Sequence, residues 1–274
     1  MSDSQSMPEI SIVVPVFNER DNLSPLLDEI VRGMGGLRRP YEVVFVDDCS
    51  TDDSLAVLRR LRDGNRCVRV LRHSLNSGES AASATGLERA RGEVVITMDA
   101  DRQNDPADIP KLLAALAEDD AVAAVCGVRA RREDDWVKRV SSRIANRFRN
   151  LVTGDRISDA GCTYRALRRE CLGELPVFNG LHRFLPTILR LQGYRVIEIK
   201  VNHRPRVAGV SKYGIGNRAW RGIVDCLAMR WFRRRAVSGR RFAGECSQEG
   251  NHGRDEVSGA QAGSPAEVDG GSRS

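Results

Sequence analysis

Two kinds of apolar pattern alternate along the first half of the chain. Short β-branched runs at residues 10–16, 41–46, 68–71, 94–98 and 121–127 read as strands, and the first is almost continuously apolar, as a strand buried in a sheet requires. Between them, residues 22 to 32, 50–61, 80–90 and 106–118 carry helical spacing. Ser50 or Thr51 is the expected cap of the second helix, and Gly92 the expected stop of the third. Strands spaced by helices of this length predict an α/β fold with a mainly parallel central sheet, flanked by helices and joined by right-handed crossovers. In such a sheet ligands gather at the carboxyl ends of the strands. Asn18-Glu19, Asp47-Asp48, Asn76, and Asp99 with Asp101 follow the strands there.

From Ala130 the pattern becomes helical and Arg-rich, with one late strand at 195–201. In the segment 218–235, Trp220, Ile223, Val224, Leu227 and Trp231 fall at helical spacing, and Trp231-Phe232-Arg233-Arg234-Arg235 adds aromatic and basic anchors. This helix suits either an anionic bilayer interface or packing on the domain before it. Beyond Arg241 the chain is Gly, Ser and acidic residues with little to bury, so it is expected to be disordered. The resulting division is a main domain over 8–217, an amphipathic helix over 218–236 and a tail over 237–274.

Charge sharpens this division. Residues 1–127 hold 14 basic and 22 acidic side chains, residues 128–241 hold 27 and 9, and residues 242–274 hold 2 and 6. An acidic half suits a bound cation; a basic half suits phosphates, nucleic acid or an anionic membrane. Seven cysteines, odd in number and without a Cys-x-x-Cys pair, argue for reduced thiols rather than disulfides or zinc. With a polar N-terminus and no apolar run of roughly 18 residues, a cytoplasmic location is expected.

The chemistry concentrates in short motifs. Asp99-Ala100-Asp101-Arg102-Gln103 follows an apolar strand, and two carboxylates one residue apart at such a turn can face one hard cation, with Gln103 adding an amide oxygen. A metal-neutralised diphosphate is a good leaving group. An aspartyl-nucleophile phosphatase also begins with Asp-x-Asp, but there the motif comes early and a Thr follows at fixed spacing, which is missing here. In Pro15-Val16-Phe17-Asn18-Glu19 the proline takes the chain out of the sheet, freeing main chain and Glu19 for a base or ribose. The carboxylates of Asp47-Asp48-Cys49-Ser50-Thr51-Asp52 suit the same contacts, although Asp52 equally suits helix capping. In Leu75-Asn76-Ser77-Gly78-Glu79 and the helix after it, Gly78 and Gly86 fit close packing as well as chemistry. No Gly-x-Gly-x-x-Gly follows a strand and no Gly-Lys-Ser/Thr loop occurs, so dehydrogenase and P-loop readings have little support.

Taken in order, these four motifs resemble family-2 glycosyltransferases with the GT-A, Rossmann-like fold. Asp159-Ala160-Gly161-Cys162-Thr163-Tyr164-Arg165 and Arg206-Val207-Ala208-Gly209-Val210-Ser211-Lys212 extend the likeness to the dolichyl-phosphate mannosyltransferase and undecaprenyl-phosphate glycosyltransferase branch, to about residue 232. The resemblance implies transfer of a mannose- or glucose-like sugar from a GDP- or UDP-sugar to a polyprenyl phosphate, using Mg²⁺ or Mn²⁺. It implies nucleotide contacts from Pro15, Val16, Glu19, Asp47 and Asp99, and metal contacts from Asp99, Asp101 and Gln103. Arg129 and a second basic residue, Lys138 or Arg139, would contact phosphate, and Arg206 and Lys212 would lie near the donor diphosphate. Asp101, Arg129 and Arg139 are the expected catalytic residues.

The acceptor has a physical argument of its own. A hydroxyl acceptor needs a carboxylate base, and the segment where the family's Glu-Asp pair usually sits reads Asn179-Gly180-Leu181-His182-Arg183-Phe184-Leu185-Pro186. A phosphate with a second pKa of about 6 needs only cations to hold it. Direct attack would invert the anomeric centre. His182 beside Arg183 is read as structural rather than as a base. The rivals are transfer to a saccharide hydroxyl, a non-catalytic nucleotide-sugar or membrane-binding adaptor, and a nucleic-acid binder, for which no aromatic base platform is visible. Many family members continue into transmembrane helices near residue 232, whereas this chain continues into a polar tail. Attachment at the cytoplasmic face of a membrane is therefore expected to be peripheral, with room for an integral membrane partner.

Overall fold

The computed structural model describes residues 7–130, 136–173, 175–205 and 215–235, with side chains described from 145 in the second stretch and from 222 in the last. The strands are β1 (Ile10–Val16), β2 (Tyr41–Asp47), β3 (Val68–Arg72), β4 (Val94–Thr97), β5 (Val122–Arg129), β6 (Arg165–Arg168) and β7 (Arg195–Val201). The helices are α1 (Arg20–Gly35), α2 (Ser54–Gly64), α3 (Glu79–Arg89), α4 (Ile109–Ala117), α5 (Trp136–Thr153), α6 (Leu181–Leu191) and α7 (Ile215–Arg235).

The seven strands form one sheet in the order β3-β2-β1-β4-β6-β5-β7. β1 pairs in parallel with β2 on one side and β4 on the other, so the chain reverses its direction of travel across the sheet at β1. β6 lies antiparallel between β4 and β5, and β7 runs parallel to β5.

The period-2 pattern of the strands divides the core. Ile10, Ile12, Val14 and Val16 of β1 face a layer with Leu23, Leu26, Leu27, Ile30 and Met34 of α1 and Leu112 and Leu116 of α4. Val13, Val44 and Val95 face the other layer with Ala82 and Leu87 of α3 and Leu185, Ile188 and Leu189 of α6. Each such side chain contributes about 1.5–3 kcal/mol relative to leaving it in water. Gly86 lets α3 sit hard on β1, since a Cβ there would stand 2.2 Å from Val13 Cγ1.

Three expectations change. The second helix starts at Ser54, and neither Ser50 nor Thr51 caps it. Those hydroxyls bond the loop after β1 instead, with Asn18 N–H donating to Ser50 Oγ at 3.0 Å and Asn18 Nδ2 to Thr51 Oγ1 at 3.0 Å. Gly92 is not the stop of α3, which ends at Arg89; a Cβ at Gly92 would stand 2.6 Å from the Ser11 nitrogen, so its role is close approach to β1. Finally, β6 was not expected. It is four residues long with arginine at both ends, and Arg165, 2% exposed, donates to the carbonyls of Cys162 at 2.9 Å and His182 at 2.7 Å. A charge where a buried strand normally shows an apolar side chain hides the pattern.

Candidate active site

A cavity of about 740 Å³ opens at the carboxyl ends of β1, β4 and β5, beside the point where the strand order reverses. Pro15, Val16, Glu19, Asp99, Asp101, Gln103 and Arg129 all line it. Asp47 does not; it lies fully buried at the end of β2 while its neighbour Asp48 lines the cavity. Arg206 and Lys212, and the side chains of Lys138 and Arg139, lie outside the described residues.

The acidic wall is held by main-chain donors. Asp48 accepts from the N–H groups of Ser77 at 2.9 Å and Gly78 at 2.7 Å, and bonds His73 Nδ1 at 2.7 Å. Gly78 supplies its N–H from φ +88, a conformation that side-chain-bearing residues resist. Asp47 accepts from Ser50 N–H at 3.3 Å through one oxygen; the other accepts no hydrogen bond, although Arg72 Nε stands 3.9 Å away. A buried carboxylate oxygen in that state suits a donor arriving with a ligand, such as a ring N–H of a base.

Asp99 and Asp101 sit on a turn closed on itself. Asp99 N–H donates to Asn104 Oδ1 at 2.9 Å, and Gln103 N–H to Asp101 Oδ1 at 3.1 Å. Arg102, between them and Gln103, adopts φ +62, and Asn18 and Cys49, each beside a cavity-lining residue, are also left-handed. Backbone strain of this kind costs about 1–3 kcal/mol per residue and gathers at functional sites. Glu29 of α1 secures the turn, accepting from Arg102 Nε at 3.2 Å and from Arg204 Nη1 at 2.8 Å, while Arg204 also pairs with Asp105. Burial raises the Asp99 carboxyl to a pKa of about 7, with the charges of Glu79 and Asp101 adding to it and Arg165 only partly offsetting them.

The opposite wall is basic. Arg129, at the end of β5, forks onto Asp159 with Nε and Nη2 each 2.7 Å from a carboxylate oxygen. Arg183 of α6 lines the cavity and reaches Asp225 of α7 at 3.0 Å. His182 lines it too, with Nδ1 2.8 Å from Ser80 Oγ and Nε2 3.8 Å from Glu79. His203 was missed by sequence reasoning, yet it lines the cavity and its backbone bridges Asn104. The rule that found the other residues would have found it, because it lies just past the carboxyl end of the strand at 195–201.

The donor set fits a hard divalent cation. Carboxylate oxygens of Asp99 and Asp101, the Gln103 amide and the His203 imidazole share one cavity. Gln103 Nε2 donates to the Arg204 carbonyl at 3.3 Å, which leaves its amide oxygen as the ligating end. Among the described residues no three His, Cys, Asp or Glu side chains already form a metal cage. An ion such as Mg²⁺ takes one or two carboxylates and completes its shell with substrate phosphates. A cation here would offset the burial and the charges of Glu79 and Asp101 that raise Asp99.

Residues 11–175 match the model of glycosyl transferase family 2, and the chain belongs to that family. It is 38% identical over 217 residues to an undecaprenyl-phosphate 4-deoxy-4-formamido-L-arabinose transferase of Edwardsiella ictaluri, covering 78% of this chain and 66% of that protein. It is 34% identical over 230 residues to a dodecaprenyl-phosphate galacturonate synthase of Rhizobium johnstonii, covering 82% and 68%. The chain thus spans about two thirds of the length of these relatives. Among solved structures, glucosyl-3-phosphoglycerate synthase from Mycobacterium tuberculosis with Mn²⁺, UDP and phosphoglyceric acid superposes with a TM-score of 0.63 at 20% identity, covering 81% and 78%. A mannosyltransferase from Pyrobaculum calidifontis in complex with GDP-Man and Mn²⁺ gives 0.58 at 23%, covering 85% and 66%. The fold is GT-A, as the motifs implied. No helix among the described residues is long and apolar enough to cross a membrane.

Proposed function

We propose that the protein is an inverting glycosyltransferase that moves a sugar from a nucleotide-sugar to a polyprenyl phosphate at the cytoplasmic face of a membrane. The observation that carries this reading is the polarity of the cavity. Carboxylates of the β1 and β4 loops face Arg129 and Arg183; among the described residues β5, β6 and α6 add no carboxylate to the lining, and Glu79 of α3 approaches that wall at His182, 3.8 Å away. A hydroxyl acceptor would need a base on that wall; a phosphate needs cations. Relatives 34–38% identical that act on undecaprenyl and dodecaprenyl phosphate support the same acceptor class.

In this reading Pro15, Val16, Glu19 and Asp47 bind the nucleoside, with Arg206 and Lys212 near the diphosphate. Asp99, Asp101, Gln103 and His203 would hold Mg²⁺ or Mn²⁺, which neutralises charge on the departing diphosphate. Arg129, with Arg183 and Arg139, orients the acceptor phosphate in line with the anomeric carbon. A phosphate oxygen forms the new bond to that carbon as the bond to the diphosphate breaks, the centre inverts, and no proton need move. His182 fits as a donor. When the Ser80 hydroxyl donates to Nδ1, the ring proton sits on Nε2, the nitrogen that faces Glu79 at 3.8 Å.

A second reading, transfer to a saccharide hydroxyl, draws on the 3.8 Å approach of His182 to Glu79, which could serve as a base pair. One experiment separates the two. The protein is incubated with a panel of GDP- and UDP-sugars, Mn²⁺, and vesicles with or without polyprenyl phosphate, and extracted lipids are weighed by mass spectrometry. A sugar-phospholipid product formed only when the lipid phosphate is present supports the proposal; sugar transfer in its absence overturns it.

A further inference from the structure

Glu79 takes no part in the attack of a phosphate, yet its carboxylate borders the reacting centre. It opens α3 just after Gly78 and lines the cavity, with 37% of its side chain exposed. Its Oε1 stands 3.8 Å from Nε2 of His182, on the first turn of α6. Ser80 ties the starts of the two helices together. Its Oγ accepts from Gly180 N–H at 2.8 Å and lies 2.8 Å from His182 Nδ1. Arg165 holds the same turn, donating to the His182 carbonyl at 2.7 Å. A buried hydroxyl and a buried guanidinium therefore fix where Glu79 and His182 meet.

The sugar links the departing diphosphate to the incoming phosphate. Its first carbon must therefore stand between the cation at Asp99 and Asp101 and the guanidinium groups of Arg129 and Arg183. Glu79 borders that gap on both sides. Its charge reaches Asp99, whose pKa it helps to raise, and it meets His182, the neighbour of Arg183. The other acids of the cavity are engaged elsewhere. Asp48 accepts two main-chain N–H groups, Glu19 accepts from Asn22 Nδ2 at 2.7 Å, and Asp99 and Asp101 serve the cation. A carboxylate beside the sugar accepts from neighbouring hydroxyls in charge-assisted hydrogen bonds. It repels a second carboxylate brought to the same place, and more strongly once the bound donor has displaced water. Family membership leaves acidic sugars open, since one relative is a galacturonate synthase.

We infer that Glu79 selects the donor sugar, taking hydroxyl-bearing sugars without a carboxylate and excluding uronic acids. The place of the sugar rests on the function proposed above, in which cation and arginines flank the anomeric carbon.

The test compares donors that differ only in whether the sugar ends in a hydroxymethyl group or a carboxylate: GDP-mannose with GDP-mannuronate, and UDP-glucose with UDP-glucuronate. Binding of each to the full chain with Mn²⁺ is read by titration calorimetry, and transfer is read with polyprenyl phosphate in vesicles. The wild-type protein is expected to favour the neutral member of the pair it binds by about 10²-fold. Glu79→Gln keeps the shape and removes the charge. It should cut that ratio to about tenfold or less through tighter uronate binding, with an unchanged circular dichroism spectrum and Mn²⁺ affinity within about threefold of wild type. Glu79→Lys should reverse the preference. Wild-type protein that takes uronates as well as neutral sugars, or a ratio that neither variant moves, overturns the inference. So does loss of Mn²⁺ binding in Glu79→Gln, which would make Glu79 a ligand of the cation, and so does failure of every donor to bind. Selective donor binding without any lipid product leaves the role of Glu79 standing and refutes the acceptor assignment instead.

Discussion

The two walls of the cavity are held by different means. On the acidic wall, Asp48 and Asp101, with Asp47 buried behind them, each accept main-chain N–H groups from nearby loops, so their positions follow from backbone that the sheet already fixes. On the basic wall, each described arginine leans on a distant carboxylate: Arg129 on Asp159, Arg183 on Asp225. Behind it the pattern repeats, with Arg190 bonding Asp155 at 2.5 Å and buried Arg149 lying 4.8 Å from the Phe184 ring centre. A carboxylate fixed by amides keeps its full charge for a cation. An arginine fixed by a carboxylate gives up part of its charge in exchange for direction, which suits a ligand that must bind and leave.

The largest test of this contrast is Asp101→Ala. It is expected to lower turnover about 10³-fold and to abolish the rise in Tm on adding Mn²⁺, while circular dichroism stays unchanged. Wild-type turnover by this variant would end the cation assignment. On the other wall, Arg129→Ala is expected to cost about 10²-fold in kcat/KM, and Asp159→Asn about tenfold, since it frees the guanidinium but loses its aim. Equal losses from the two would show that direction, not charge alone, matters there.

The pH dependence separates the walls again. A carboxyl raised from 3.8 to about 7 makes the metal-free folded state less stable as pH climbs from about 4 to 7, because the unfolded chain gives up that proton first. A cation must displace the proton, so Mn²⁺ affinity measured by titration calorimetry should fall about tenfold per unit below pH 7 and level off above it. A flat profile from pH 5 to 8 contradicts the crowding of Asp99. The smallest effect is expected from Glu29→Gln. Glu29 does not line the cavity, but its two oxygens tie the turn at Arg102 to the segment at Arg204. Burial raises its pKa, yet the hydrogen bonds and charges of Arg102 and Arg204 bring it below the ordinary value. The amide variant should weaken Mn²⁺ binding severalfold with little change in KM for the acceptor.

The legibility of the chain follows the same divide. β1 lies where its apolar run places it, because a strand inside a sheet must be apolar along its length, whereas β7, at the sheet edge, carries Arg195, Glu198 and Lys200 among its apolar residues. The Asp-x-Asp turn is legible for a similar reason, since acids directly after a buried strand stand out. β6 escaped notice because Arg165 is buried among carbonyls rather than apolar neighbours. His203 was passed over although it follows the strand at 195–201; the ladder of β7 on β5 and the bridge to Asn104 carry it to the cavity.

The amino-acid sequence alone determined the alternation of strands and helices, the split of charge between the two halves, and the acids at the strand ends, because each depends on local periodicity or on a residue's position relative to its own strand. The tertiary structure decided the antiparallel insertion of β6, the carboxylate that directs each arginine, the meeting of His182 with Ser80 and Glu79, and the side of α7 left facing outward. These join residues from about 30 to more than 170 positions apart, as in Arg129 with Asp159 and Arg204 with Glu29. No window of sequence spans such distances; folding the sheet is what brings them within hydrogen-bonding range.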